Sequence, residues 1–423
     1  MNTGLAQAQP LPPEPLDRVG KFLLIVALAL LVPTMARALP WLYEQGKLPI
    51  KPRDYTLVLL VALFGLLLLN RPKLCLPSFV ILTPPLLRVL DAAFLRRFDV
   101  NLLGEHSVFV MNLLSAWLVS FASVALLSSH HWRKIAYWTA LATVLFVNAS
   151  IYYEAAGFAQ YTRIPGRLSG FPVDPNDGPI TTCLMLGICF TLQPSFWKNL
   201  ALIAFATPAI ALTMSRSGMA IFAFMVGIYV LLNARRHFTG LVLIALACIP
   251  LAVGGVALLA QRTGGGLIKD ENTKARLQAI YELDFEKIKS PERAKDLADG
   301  WEAVGQKPIW GHGTGSGTAW WQPHNQFVAV WLDIGLPGLL LFAGPLLGLT
   351  ILCAINRFQG LFCLIPVWLF IPCSQILLDA QQFWFCLAVA ACVLIPGRFA
   401  LRLGSLREAL TRPLPSPQAS ARS

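Results

Sequence analysis

The sequence predicts an all-α polytopic membrane protein with about twelve transmembrane helices and one long, partly helical outward loop between spans nine and ten. Of its 423 residues, 56% are apolar and 13% are charged, whereas soluble domains carry about 25% charged residues. A helix needs roughly 20 mostly apolar residues to cross a bilayer, and twelve apolar runs follow one another along the chain. These observations exclude a water-soluble globule.

The twelve runs are the predicted spans. They cover residues 20–39, 55–70, 74–94, 107–129, 134–155, 179–195, 198–214, 217–233, 238–261, 325–355, 358–373 and 375–396. The third contains three prolines together with Arg88 and Asp91. We therefore expect it to end early, in an amphipathic stretch along the membrane interface.

The basic residues of the short loops predict the orientation of the spans. They collect in alternate loops and in the C-terminal tail, which places both termini in the cytoplasm. The first apolar run lacks a small-residue cleavage site, so we expect it to be retained as a span. The predicted segments are a cytoplasmic tail at 1–19, spans one to nine within 20–261, an outward loop at 262–323, spans ten to twelve within 324–396 and a cytoplasmic tail at 397–423.

Charge and cysteine content narrow the chemistry. The net charge of +12 fits anionic lipid or an anionic substrate as well as it fits topology signals, but the basic residues are too scattered for nucleic-acid binding. No two cysteines form a CxxC pair, so disulfides and zinc are not expected. The outward loops hold no cluster of carboxylates, and we expect neither a metal nor another cofactor. The cysteines, all in or beside apolar runs, are residues 75, 183, 189, 248, 353, 363, 373, 386 and 392.

Two short outward segments carry arginines. Arg163 and Arg167 lie in a turn-rich run before the sixth span, where they can grip a headgroup or pyrophosphate, although an ordinary loop has the same composition. Arg216 lies in the tight turn Ser215–Gly218 between two apolar runs. A charge there is costly unless it is paired or functional, and snorkelling to lipid headgroups is the alternative.

Within the long outward loop, Ser290-Pro291-Glu292 is a typical helix start. Arg293 falls in the first turn, where its charge adds to the positive end of the helix dipole and can hold phosphate; a solvated surface arginine is the alternative. The apolar residues that follow predict one buried helix face, formed by Ala294, Leu297, Ala298, Trp301 and Val304.

Glycine recurs at every second position from Gly311 to Gly317, a pattern that suits either an anion-binding loop or a flexible connector. His312 within it either faces a ligand or is simply exposed. His324 and Asn325 precede the tenth span. A histidine in such a place can act as a general base near neutral pH, or it can be structural.

Together these positions resemble the O-antigen ligase and O-antigen polymerase superfamily of bacterial envelope glycosyltransferases. The resemblance covers about residues 160–340, and the twelve-span layout extends it along the chain. Leu297 and Asp333 depart from it, since tryptophan and glutamate are common there. The four motifs, in order, are Arg-x-x-Gly with Pro-Asn (Arg167, Gly170, Pro175, Asn176), the turn Ser215–Gly218, an arginine ahead of Pro-x-x-Gly-x-Gly (Arg293, Pro308, Gly311, Gly313), and His-Asn with Gly-x-x-Gly (His324, Asn325, Gly335, Gly338).

The resemblance implies an inverting, metal-independent glycosyltransferase of the bacterial inner membrane with a periplasmic active site. It would transfer a glycan from undecaprenyl diphosphate to a sugar hydroxyl of the lipid A core. His324 would be the catalytic base, and the substrate-binding residues would be Arg216, Arg293, Arg167, Arg163, Asn176, Asn325 and His312. An O-antigen polymerase, which uses a carrier-linked glycan as acceptor, is the first alternative. A transporter with basic outward loops is the second, although no matching pair of broken spans supports it.

This topology predicts that residues 262–323 lie in the periplasm. We accordingly expect a cysteine at position 316 to be labelled from that side.

Overall fold

The protein, represented by a computed structural model, is predominantly helical. The structure describes residues 18–49, 51–70, 73–75, 82–95, 106–127, 130–162, 167–193, 195–233, 291–356, 358–374, 376–394 and 400–402. The helices are α1 Arg18–Met35, α2 Ala38–Glu44, α3 Pro52–Asn70, α4 Thr83–Leu90, α5 His106–Leu127, α6 His130–Ala155, α7 Asp177–Leu192, α8 Phe196–Leu212, α9 Arg216–Asn233, α10 Pro291–Gln306, α11 Ser316–Ala319, α12 Gln326–Asn356, α13 Leu361–Phe370 and α14 Gln381–Leu394. A π-helical turn, Asp91–Leu95, extends α4, and 3₁₀ turns occupy Phe358–Gly360, Ile371–Cys373 and Leu377–Asp379.

Ten of the twelve predicted spans coincide with helices in this part of the chain. The third is described only in part, and the ninth, residues 238–261, lies outside the described residues. Among the described residues, four helices are long and apolar enough to cross a membrane, and six shorter apolar helices accompany them. The protein is thus membrane-embedded, while the count of twelve crossings stays a prediction. The four long helices are Arg18–Met35, Arg133–Ala155, Arg216–Asn233 and Gln326–Asn356.

Helix α7 forms the centre of the bundle. Every residue from Asp177 to Thr191 is buried, as expected for a helix that is apolar on all sides. It packs against α6, α8, α9, α13 and α14. Residues at the start of α7 are therefore surrounded by other helices.

Two short strands make the only sheet in the described residues, and they modify the all-α prediction. β1, Lys73–Cys75, pairs antiparallel with β2, Ala400–Arg402. The loop after the second predicted span and the C-terminal tail thus meet. Their contact agrees with the predicted placement of both segments on the same side of the membrane.

Helix α12 breaks at Gly335, where the sequence shows one continuous apolar run. Gly335 has φ 71° and ψ −169°, and the Leu336 amide donates to Pro308 O at 3.0 Å rather than to its own helix. Pro337 has no N–H, which leaves the Asp333 carbonyl without its helical donor. The Leu332 and Asp333 carbonyls instead accept the amides of residues 312 and 313, at 2.6 and 3.0 Å.

The charged residues of the third predicted span are buried inside the protein. The prediction of an amphipathic stretch along the membrane interface is therefore wrong for these residues. Arg88, 3% exposed, donates through Nε to Asp333 at 3.0 Å and also pairs with Asp379. Asp91, 4% exposed, accepts the amide of Thr314 at 2.6 Å. Buried charges of this kind need such partners, and here they fasten α4 to α12 and to the segment before α14.

Candidate active site

One end of the bundle, which we call the outward end after the predicted topology, brings together the N-termini of α7, α12 and α14. Gln382 at the start of α14 donates to Thr181 Oγ1 near the start of α7, at 3.1 Å. Gln326 at the start of α12 accepts the amide of Leu377, just before α14, at 2.7 Å. The N-terminal ends of helices carry partial positive charge and attract anions.

Two of the predicted motifs meet at this end, in a network centred on Asn176. Arg167, only 6% exposed, donates from Nε to Thr213 O at 3.1 Å and from Nη2 to Asn176 Oδ1 at 3.2 Å. The Ser215 hydroxyl donates to the same Asn176 oxygen at 3.0 Å. The loop before α7 is thereby joined to the turn before α9. The buried Arg167 holds this turn in place.

Arg216 is the first residue of α9, because Ser215 forms its N-cap. The Ser215 Oγ accepts the amide of Gly218 at 3.3 Å, as a capping serine does. A Cβ atom on Gly218 would lie 2.4 Å from Pro179 Cβ, so α9 begins directly against α7. Arg216 is half-buried. A cation at a helix N-terminus opposes the dipole, and a bound anion would relieve that opposition.

Glu154, which the sequence analysis did not single out, organises the loop that carries Arg167. Its Oε1 accepts the amides of Tyr161 and Thr162, both at 2.8 Å. Its Oε2 accepts the amides of Ser169 and Gly170, at 2.8 and 3.0 Å. A carboxylate at the C-terminal end of an apolar helix is unfavourable without such donors, and that position was the signal available in the sequence.

His324 and Asn325 prepare the start of α12. The Asn325 Oδ1 accepts the amides of Phe327 and Val328, at 2.9 and 3.3 Å, and so caps the helix. His324 has φ 48°, in the left-handed region that is uncommon for residues other than glycine. Its Nε2 lies 3.8 Å from the Asp296 carboxylate, and both side chains are partly exposed. Sequence reasoning missed Asp296, which lies one helical turn after Arg293.

The predicted helix start before Arg293 is confirmed, since α10 begins at Pro291. Arg293 is half-buried in the first turn of α10. It lies close enough to Cys373, in the 3₁₀ turn Ile371–Cys373, for the two side chains to interact electrostatically. Arg293 therefore lies near the chain segment that leads to α14.

The buried face of α10 is rotated from the predicted one. Ala303 and Val304 are buried against Val328 and Leu332 of α12, whereas Trp301 is 49% exposed and stacks edge-on against Trp331. Ala294 and Ala298 are exposed as well. Gly300 lies on this contact face, and because it has no side chain α10 approaches α12 closely: a Cβ there would lie 3.0 Å from Pro323 Cβ and 3.3 Å from Val328 Cγ1.

The glycine-rich loop is a packed structural element. The amides of residues 311–314, 316 and 317 all donate to acceptors within the protein, so they are engaged rather than directed at a phosphate. A Cβ on Gly311 would lie 2.6 Å from Leu332 O, which shows how closely the loop approaches α12. His312 Nε2 donates to Ala303 O, 2.8 Å away, and the ring packs on Trp321. Ser316 is fully buried beside Asp333, so it is a poor labelling position.

Arg163 and residues 234–290, which include the first part of the long loop, lie outside the described residues. Within the described part of the chain, no group of three or more His, Cys, Asp or Glu side chains is arranged to hold a metal ion. The structure thus gathers Arg167, Asn176 and the Arg216 turn in one network. It places Arg293, His324 and Asn325 around α10 and the start of α12, at the same end.

Residues 201–343 match the family model described as O-antigen ligase. The matched region contains Arg216, Arg293, His312, His324 and Asn325. Arg167 and Asn176 precede it and are connected to it through Ser215. No curated protein matches the chain.

Proposed function

We propose that this protein, whose residues 201–343 match the O-antigen ligase family model, transfers a glycan from undecaprenyl diphosphate to a sugar hydroxyl of the lipid A core. The observation that carries the proposal is the placement of His324 at the entry of α12, 3.8 Å from the Asp296 carboxylate. A base supported by a carboxylate is an arrangement suited to removing a proton from a hydroxyl.

In the proposed reaction, the acceptor hydroxyl oxygen attacks the anomeric carbon of the glycan. The bond from that carbon to the carrier's diphosphate oxygen breaks, and its electron pair leaves with the diphosphate. His324 takes the hydroxyl proton, and Asp296 stabilises the imidazolium that forms. A single direct displacement inverts the anomeric centre.

The departing diphosphate is the group we assign to the arginines. Arg216 and Arg293, with Arg167 and Arg163, are proposed to hold it beside the positive ends of the helices at the outward end. Fixed cations are most effective in a site partly shielded from water. Arg167 already donates to Thr213 and Asn176, so we propose that it acts chiefly by fixing the turn of Arg216.

Three further residues remain proposed substrate contacts: Asn176, Asn325 and His312. Their hydrogen bonds indicate that they also hold other site residues in position. The Asn176 oxygen joins Arg167 to Ser215, and Asn325 caps α12 next to His324. His312 fixes the loop against α10. We propose that these three residues set the positions of Arg216 and His324.

The experiment that tests the function uses purified protein in vesicles with a lipid-linked glycan. One set of vesicles receives lipid A core, and a second set receives only further lipid-linked glycan. A ligase produces a lipopolysaccharide band of increased mass in the first set alone. Chain elongation in the second set identifies a polymerase, and movement of the glycan across the membrane without any new bond identifies a transporter.

The proposed topology predicts opposite labelling at two exposed positions. A cysteine replacing Gln306, at the end of α10, should react with a membrane-impermeant maleimide in cells whose periplasm is accessible and whose cytoplasmic membrane is intact. A cysteine replacing Lys198, at the end of α8 that is predicted to face the cytoplasm, should react only after the membrane is opened. The unaltered protein controls for its native cysteines, six of which are buried while Cys373 is partly exposed. Labelling of the Gln306 variant only after opening would contradict the periplasmic site.

Metal independence predicts that saturating EDTA leaves the transfer rate within about twofold of its untreated value, because arginines rather than a divalent ion would compensate the diphosphate charge. The rate is measured in the reconstituted assay before and after chelation. A loss of activity that magnesium or manganese restores would show that the arginines are not the principal electrostatic groups.

A further inference from the structure

A polar cavity lies at the outward end, beside the loop of Arg167. Its volume is about 430 Å³, within the size range of small-ligand sites. It opens between α2 with the residues that follow it and residues 158–162. Its lining includes Trp41, Glu44, Gln45, Lys47, Gln160 and Tyr161.

The lining favours a ligand rich in hydroxyl groups. Two amide side chains, one carboxylate and one ammonium supply both donors and acceptors, and a neutral sugar hydroxyl can use both, since it donates one hydrogen bond and accepts others. A phosphate site would gather cations, yet the single ammonium of Lys47 is 4.8 Å from the centre of the Trp41 ring and Glu44 is also present. A lipid chain would need an apolar lining, whereas most of the cavity's exposed surface is polar.

Aromatic rings form the floor and rim of the cavity. Trp41 and Tyr161 are each 5% exposed and pack with ring centroids 4.3 Å apart, so the floor is rigid. Burial, with the nearby Tyr153 and Glu154 groups, raises the pKa of Tyr161 to about 12, and its phenol stays protonated. Phe158 at the rim is 71% exposed. Aromatic surface of this kind packs well on the apolar faces of sugars.

Hydrogen bonds and an ion pair connect the walls of the cavity to the proposed transfer site. One carboxylate oxygen of Glu154 accepts the amides of Tyr161 and Thr162 in the cavity wall. The other oxygen accepts the amides of Ser169 and Gly170, just after Arg167. In addition, Arg37 at the start of α2 pairs with Asp177 at the start of α7. Both walls are thus fastened to the elements that carry Arg167 and Asn176.

We propose that this cavity is an oligosaccharide subsite that holds sugar units of a substrate away from the reacting bond. The inference rests on the proposed glycan transfer. The bound oligosaccharide comes either from the donor glycan or from the acceptor core, which have the same hydroxyl-rich chemistry. Glu154 keeps the subsite at a fixed position relative to the Arg167 loop.

The test fills the cavity by Gln160→Trp and, from the opposite wall, by Gln45→Trp. Gln306→Trp, at the exposed end of α10, is the matched control. In the reconstituted assay, we expect each cavity variant to raise the KM of one substrate at least about fivefold, the scale of losing one or two neutral hydrogen bonds, with kcat within about twofold. The substrate whose KM rises identifies the source of the bound sugar. Unchanged KM values for both substrates in both variants would overturn the subsite.

Binding is measured separately from transfer, by saturation-transfer NMR on the purified protein. The probes are glycan released from its lipid carrier and core oligosaccharide released from lipopolysaccharide. We expect one probe to bind the unaltered protein and the Gln306→Trp control, but not the cavity variants. Sugar binding of this kind without any transfer would contradict the proposed function and leave the subsite standing. Glycan transfer accompanied by equal sugar binding in all variants would contradict the subsite and leave the proposed function standing.

Discussion

Replacing His324 with alanine should slow glycan transfer at least ~100-fold, the usual scale for losing general acid or base assistance. The acceptor hydroxyl has a high pKa and must lose its proton as the new bond forms. In the variant, no imidazole accepts that proton beside Asp296. The protein should still insert into the membrane and bind the lipid-linked donor. Single-turnover rates and donor binding are measured on the same reconstituted samples.

Added imidazole separates a catalytic from a structural role for His324. A small base that diffuses into the vacated space should restore part of the rate of the His324→Ala variant, but it cannot repair a misplaced helix start. Asn325→Ala provides the comparison, because it removes the described cap of α12 and keeps the histidine. Normal turnover of His324→Ala would refute the general base. A variant that fails to insert would instead support a structural histidine at the helix start.

Arg216→Lys should lose activity roughly 100-fold or more, which is the scale for removing one donor aimed at a developing charge. The substitution keeps the positive charge but replaces a planar pair of donors with a single ammonium. If Arg216 grips the departing diphosphate, charge alone is not enough. The rate is measured with saturating acceptor, so that a change in the chemical step is visible in kcat.

Arg133→Lys is the matched control for this change. Arg133 donates to the carbonyl of Cys392, in a region predicted to face the cytoplasm. The same chemical substitution there should leave turnover within about threefold, since no contact with the diphosphate is lost. Equal turnover of Arg216→Lys and the unaltered protein would reduce Arg216 to a topological or lipid-anchoring residue.

Patterns among neighbouring residues predicted those parts of the fold that neighbouring residues determine. Apolar runs located ten helices of the described chain, and the Pro291 signal located the start of α10. The order of motifs also led to the family that residues 201–343 match. The apolar runs and the helix start are each expressed within about 20 neighbouring residues, which is the range that hydropathy and capping patterns cover.

Long-range contacts account for what the sequence did not reveal. Arg88 and Asp91 look like the end of a span, but their partners Asp333 and Thr314 are more than 200 positions away. The break at Gly335 occurs inside a mostly apolar run, and it depends on carbonyl contacts with the loop before α11. The alternating glycines indicated either an anion site or a connector. They serve instead to bring that loop's backbone against α12.

The site residues likewise divide into those predictable from neighbouring residues and those that depend on long-range contacts. Arg216 and His324 were chosen by type and position, and the structure places both at helix starts on the outward end. Asp296 and Glu154 were missed because a carboxylate on a helix is ordinary until its partner is known. The contact of Asp296 with His324 and the four amides bound by Glu154 exist only in the folded chain.

The most direct test of the central claim follows the carrier lipid during transfer. Phosphorus-31 NMR of the reconstituted reaction measures the free undecaprenyl diphosphate, and mass spectrometry measures the glycan joined to lipid A core. If the glycan is displaced from an intact diphosphate held by the arginines, the two products should appear in a one-to-one ratio, and neither should form without the acceptor. Release of undecaprenyl monophosphate in step with the product, or glycan transfer without any freed carrier, would contradict the mechanism.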